Sequence, residues 1–189
     1  MIKYKKISFD YLLKQLNSNN KIYVDFINLY IEQYLKELIH INNIDDFIKY
    51  NKNYLEKYKK IDNTAKILFH LLIDKDKDRI IGIEKTLKIS DGYFSIKYFT
   101  PLKQEYKIPD NSFIYYAVNL YVSPDYRGQK LCNKILKMIQ KTAIKKNIKF
   151  IISEIHNDNI PSIKCHLSSN FIKTDILSYK DSYFYIVLL

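Results

Sequence analysis

The stretch that most constrains this chain runs Val118-Asn119-Leu120-Tyr121-Val122-Ser123-Pro124-Asp125-Tyr126-Arg127-Gly128-Gln129-Lys130. A strand-like run stops at a proline, turns through Arg-Gly and opens directly into an amphipathic helical pattern. The chain has only two arginines and three glycines, and one of each stands side by side in this turn. Amides freed at a helix N-terminus, with positive charge beside them, are how backbones hold phosphate. The turn is therefore a candidate nucleotide-phosphate or coenzyme site.

Composition narrows the class. At 189 residues, rich in apolar side chains and poor in Pro and Gly, the chain suits one folded domain over 1–189. No apolar run reaches membrane-spanning length; the best, Ile148 to Ile155, stops at about eight residues. The basic start, Met1 to Lys6, is not followed by the uninterrupted apolar core of a signal peptide. Cys132 and Cys165 are too few for a disulfide framework and lack CxxC spacing, so each reads as a packing residue and a reducing cytoplasm as the default. The formal charge of +11 is almost all lysine, spread along the chain with isoleucine, asparagine and tyrosine in a bias that A/T-rich coding alone produces. Clusters such as Lys141-Lys145-Lys146-Lys149 fit a solvated helix face, or a basic rim that attracts an anionic cofactor. Charge alone supports a nucleic-acid partner, and no arginine patch or reading motif accompanies it.

The apolar spacing predicts an amphipathic helix over 22–39, carried by Phe26, Ile27, Tyr30, Ile31, Tyr34, Leu35 and Leu38. A second helical pattern runs from Asn43 through Phe47, Tyr50, Tyr54 and Tyr58; these tyrosine stripes read as core and groove packing. Strand-like runs flank the polar turn Asp74-Lys75-Asp76-Lys77-Asp78, a hairpin signal over 67–73 and 79–84. Further strands are expected at 2–8, 93–99, 113–122, 150–155, 171–177 and 183–189, with helices over 129–146 and 161–168.

Two blocks then carry a family likeness. The first is the hexad Arg127-Gly128-Gln129-Lys130-Leu131-Cys132, approached through Leu120-Tyr121-Val122-Ser123-Pro124-Asp125-Tyr126. The second is Asn159-Ile160-Pro161-Ser162-Ile163-Lys164-Cys165-His166-Leu167-Ser168-Ser169-Asn170-Phe171. Together they resemble the GNAT superfamily of N-acetyltransferases: an Arg/Gln-x-x-Gly-x-Gly/Ala loop opening a helix, then a segment running from an Asn to a Tyr to Gly-Phe. The resemblance covers 113–189 well, 67–100 by element order and the first 65 residues loosely. Lys130 stands in place of a glycine, Cys132 of a small residue, His166 of the tyrosine and Asn170 of the second block's glycine. A Lys130 with helical dihedrals would still offer its amide.

The resemblance implies an α/β fold with a mixed, mostly antiparallel central sheet flanked by helices. It adds a helical N-terminal part over 1–65 and a coenzyme-binding part over 113–189. It implies acetyl-CoA as co-substrate, with no metal, and a primary-amine acceptor that is a small molecule or a protein amine. Coenzyme contacts are then expected from Leu120, Tyr121, Val122, Arg127, Gly128, Gln129, Lys130, Leu131, Cys132 and Asn159, with a backbone amide of Leu120 or Val122 on the thioester carbonyl. His166 takes the position of the family's proton donor. An attacking amine of pKa about 10.4 needs a base; Glu154 is the first candidate and Glu84 the second. His156 reads as a turn residue. Acceptor specificity is expected from helices 22–58 and the loop 101–112, and the net basic surface disfavours a strongly cationic acceptor. The rival readings are a degenerate acyl-CoA-binding module and, last, a basic nucleic-acid-associated protein.

Overall fold

Ser8 ends the first strand and starts the first helix in one step: its backbone is extended and its Oγ accepts the Tyr11 amide at 3.2 Å. The computed structural model describes residues 1–35, 39–60, 63–90, 96–109, 113–177 and 181–189. After β1 (Ile2–Ser8) come α1 (Phe9–Asn17), α2 (Lys21–Tyr30), a π-helical turn (Ile31–Leu35) and α3 (Ile44–Lys59). The hairpin β2 (Lys66–Asp74) and β3 (Arg79–Ser90) leads to α4 (Ile96–Glu105) and β4 (Phe113–Val122). A 3-10 turn (Pro124–Tyr126), α5 (Leu131–Lys145), β5 (Phe150–His156), α6 (Ile160–Leu167), β6 (Ile172–Leu177) and β7 (Ser182–Leu188) complete the order.

The seven strands form one sheet in the order β1-β2-β3-β4-β5-β7-β6, antiparallel except for the parallel pair β4–β5. Neighbouring residues on a strand point to opposite faces, so the sheet carries two cores. Ile152 and Ile186 pack with the N-terminal helices through Phe9, Phe26, Ile27 and Phe47, whereas Ile151 and Tyr185 pack with α5 through Ile135, Leu136 and Ile139. Gly82 lets α5 sit close to the sheet, since a Cβ there would lie 3.3 Å from both Ile135 Cδ1 and the Tyr121 carbonyl. Among the described residues no helix is long and apolar enough to cross a membrane.

Most expected elements are present with small end shifts, and the expected mixed, mostly antiparallel sheet flanked by helices is observed. Three differ. Residues 9–17 are helical, an element the tyrosine and lysine spacing hid. The helix expected over 22–39 becomes π-helical after Tyr30, and Leu38 lies outside the described residues. The strand expected at 93–99 is not one where it can be seen: 96–105 is helical, anchored by fully buried Leu102, and 93–95 lie outside the described residues. The helix also takes in the start of the expected 101–112 loop, and 110–112 are likewise outside.

One irregularity shapes the molecule. β4 pairs with β5 only over Ile114–Ala117; beyond that, β5 follows β7 to His156 while β4 follows β3 to Val122. The two strands therefore part. On the β3 side the register slips between Ile83 and Lys85, so Glu84 faces a two-residue bulge at Asn119 and Leu120. Asn119 adopts a left-handed φ of 64°, and the Tyr30 hydroxyl donates to its carbonyl at 3.2 Å.

Candidate active site

The turn singled out in the sequence sits at the end of β4 and is fixed from below. Tyr126 Oη donates to Asp74 Oδ2 at 2.6 Å and accepts from Arg79 Nε and Nη2 at 3.1 and 3.0 Å, tying the 3-10 turn to the β2–β3 hairpin. That hydrogen bond holds the Asp74 carboxyl below its ordinary pKa. Arg127 Nε donates to the Val122 carbonyl at 3.1 Å. Gly128 follows at φ 78°, with no atom within 4 Å of where a Cβ would be. Lys130 is also left-handed, at φ 56° and ψ 24°, and not helical as its place at the helix start suggested. It is the N-cap of α5 and makes no side-chain cap, so the first amides of the helix face outward uncapped.

These residues wall a cleft of about 540 Å³. Leu120, Tyr121 and Val122 form one side, Arg127, Gly128 and Lys130 to Cys132 another, and Asn159 a third; Gln129 is exposed and not on the wall. Its charged residues are Arg127, Lys130 and Lys164, and none of the described residues lining it is acidic. Asn159 caps α6, its Oδ1 accepting the Ser162 amide at 3.2 Å. Cys132 and Cys165, read separately from the sequence as packing residues, are joined as a disulfide across the cleft wall between α5 and α6. Neither has a sequence neighbour that announces the other, and only the packing of the two helices brings them together.

A second cavity, of about 670 Å³, opens where β4 and β5 part, and it shares Tyr34, Leu120, Asn159 and Ser162 with the first. Its ionisable lining is of the other kind: Glu84 and Glu154 line it with His156 and His166, and no lysine or arginine does among the described residues. The overall positive charge thus does not describe the lining of this cavity. Glu84 is 1 % exposed, and one carboxyl oxygen has no hydrogen-bond partner. Burial pushes its pKa well above the ordinary value, with neighbouring Lys85 a weaker opposing influence. Burial likewise lowers Lys85 to about 7, with its Nζ 4.4 Å from the Tyr54 ring centroid. Glu154 stands at the exposed rim and accepts from the Tyr116 hydroxyl at 2.7 Å.

His166 lines the second cavity and is buried. Its Nδ1 lies 2.8 Å from the Ser162 carbonyl, which can only accept, so Nδ1 carries the ring proton. Burial lowers its pKa to about 4, leaving a neutral ring at neutral pH whose Nε2 accepts. His156, expected in a turn, is instead the last residue of β5, paired with Ser182, and its Nδ1 lies 3.7 Å from Asp158 Oδ2 in the turn that follows. Among the described residues no three His, Cys, Asp or Glu converge as a metal site would require.

A family description for acetyltransferase (GNAT) domains matches residues 35–171. The chain belongs to the acetyltransferase (GNAT) family. Solved structures agree on this acetyltransferase fold at low identity. Arabidopsis thaliana NAA60 in complex with acetyl-CoA is 14% identical at a TM-score of 0.63, covering 100% of this chain and 99% of that one. The Thermoplasma acidophilum PaiA N-acetyltransferase in complex with coenzyme A is 16% identical at 0.58, covering 100% and 99%. A GNAT-family acetyltransferase from Staphylococcus aureus Mu50 is 18% identical at 0.57, covering 98% and 99%. Comparison with curated proteins finds no matching sequence.

Three parts of this candidate site escaped the sequence reading. Tyr34, seen only as one member of a stripe, borders both cavities because the π-helical turn carries it there. Tyr126 anchors the loop through a contact with β2 and β3 that sequence spacing does not encode. The disulfide is the third.

Proposed function

We propose that this protein, acting as one catalytic unit over its 189 residues, transfers an acetyl group from acetyl-CoA directly to a primary amine within a ternary complex. The observation that carries the reading is the meeting of a basic cleft and a carboxyl-lined cavity at the bulged end of β4. The basic cleft fits the coenzyme: the Gly128–Lys130 turn and the uncapped start of α5 offer amides to a pyrophosphate, and Arg127, Lys130 and Lys164 balance its charge. Acetyl-CoA, when bound, supplies an acetyl group as a thioester open to attack by an amine.

The chain's own groups then have defined work. An amide of Leu120 or Val122, on the stretch of β4 that no longer pairs with β5, donates to the carbonyl oxygen, worth a few kcal/mol at the transition state. The acceptor arrives as an ammonium in the acidic cavity, and its proton passes to a carboxylate. Glu84, opposite the bulge, fits this base role through its position and raised pKa; Glu154 holds the cation at the rim. The proton for the departing sulfur comes from Tyr34, whose hydroxyl, with its pKa pushed up to about 12 by burial, stays protonated between the two cavities. His166 fits the role of acceptor at Nε2, orienting the amine, better than the donor role implied by its place in the second block.

The test is calorimetric titration with acetyl-CoA, wild type beside Lys130→Glu, followed by thiol release across a panel of amines. Binding that weakens about tenfold or more in the variant, with amine-dependent thiol release, is the expected result. Binding without thiol release from any amine would leave an acyl-CoA-binding module, and no binding would withdraw the coenzyme cleft.

A further inference from the structure

Two of the segments that wall the coenzyme cleft are joined by a single covalent bond between residues 33 apart in the chain. Cys132 is the second residue of α5, beside the left-handed turn that aims the helix amides outward; Cys165 lies in the last turn of α6. Both line the cleft, and their Cα atoms are 6.2 Å apart. They are the chain's only cysteines. We propose that the Cys132–Cys165 bridge is a thiol–disulfide switch that sets the affinity of the cleft for its coenzyme, tight when bridged and weakened when reduced.

The physical reason is that the bond holds two coenzyme-facing segments at a fixed spacing, so less of their freedom is lost on binding. Reduction by a dithiol breaks the one S–S bond, leaves a thiol on each cysteine and converts the reductant to its cyclic disulfide, so atoms and electrons balance. Two thiols then need more room than a bond, and the cleft loosens. The change stays local because a second tie does not involve sulfur. Asn133 Nδ2 lies 3.2 Å from the Cys165 carbonyl, 2.6 Å from Ser168 Oγ and 2.9 Å from Ser169 Oγ, and Gln140 Nε2 donates to the Ser169 carbonyl at 2.6 Å. α5 and α6 therefore stay docked after reduction while the cleft mouth gains play. Cys165 is buried and Cys132 half-buried, so the reductant reaches the bridge through the cleft itself. Bound coenzyme then shields the bridge, and by linkage must favour the oxidised form by the factor that oxidation favours coenzyme.

This inference rests on the coenzyme reading of the cleft, and its test separates the two. Acetyl-CoA is titrated into the oxidised protein, into the same protein reduced by dithiothreitol with both thiols counted, and into Cys165→Ser. The expected result is a dissociation constant about tenfold weaker in the reduced protein, matched by Cys165→Ser, which no longer responds to dithiothreitol. The reduction potential of the bridge then falls by about 30 mV at saturating acetyl-CoA, the same tenfold factor for a two-electron couple. Equal binding by oxidised and reduced wild type overturns the switch while leaving the coenzyme site standing. No binding by either form overturns both. Circular dichroism of the reduced wild type guards against reading an unfolded protein as a loosened one, and the wild-type comparison needs no variant to fold.

Discussion

Lys130 does two things that pull against each other. A non-glycine residue at φ 56° is strained by about 1 kcal/mol, yet its ammonium joins Arg127 and Lys164 in the charged lining of the basic cleft among the described residues. Lys130→Gly should therefore raise stability by up to about 1 kcal/mol and weaken acetyl-CoA binding several-fold, read by thermal melts and calorimetry on one protein sample. A variant that loses neither affinity nor strain would show that Lys130 faces the coenzyme with its backbone alone. Glu84 allows a sharper measurement. If its carboxylate takes the amine's proton, Glu84→Gln should cut kcat about a hundredfold or more and remove the acidic limb of the pH–rate profile. Unchanged limbs would pass the base role to Glu154, for which Glu154→Gln is the matching experiment. The loop residues were legible because Pro124, Arg127 and Gly128 constrain the backbone locally. Glu84 was legible as the second candidate base, but its orphaned oxygen was not, since that depends on burial made by distant strands.

At the level of elements, the loop's position depends on the hairpin beneath it. Tyr126→Phe removes the hydroxyl that bridges Asp74 and Arg79. It should weaken acetyl-CoA binding several-fold with little change in the contents of the cleft; unaltered affinity would mean that α5 alone places Arg127. Periodicity found β2, β3, β4, α3 and α5 because each repeats one pattern over a long run. It failed at 96–105, where aromatic and β-branched residues favour strand locally but buried Leu102 and the contact of α4 with β6 settle a helix. It also failed at 9–17, whose start is signalled by one serine, and it could not foresee the π-helical turn, which has no periodic signature of its own.

For the molecule as a whole, buried titrating groups fix how stability follows pH. His70, bonded to Tyr4 and Thr86, is lowered by burial to about 3, and His166 to about 4. Between those values and about 6.5 the unfolded chain holds two protons that the folded chain does not. Glu84 acts in the opposite sense there, since its raised pKa lets the folded chain hold a proton that the unfolded carboxylate has lost. The two histidines outweigh the one carboxyl, so stability rises with pH over this window and falls on acidification below 6.5, by less than the roughly 2.7 kcal/mol per unit that two histidines alone would give. Denaturant melts at pH 7 and pH 5 should show that loss, and Glu84→Gln, which removes the offset, should steepen it; a flat profile would mean that the histidines are hydrated. The whole-chain charge, by contrast, said little about either cleft.

The parting of β4 from β5 is made by the main chain: a register slip, one left-handed asparagine and a parallel ladder that stops after four pairs. The opening follows the backbone path, with the Tyr30 hydroxyl holding the bulge at the Asn119 carbonyl. That gives the scaffold room to drift: structures only 14% and 16% identical to this chain still superpose over its full length. The side chains on the cavity walls can change, and specificity with them, without a change in the fold that carries them.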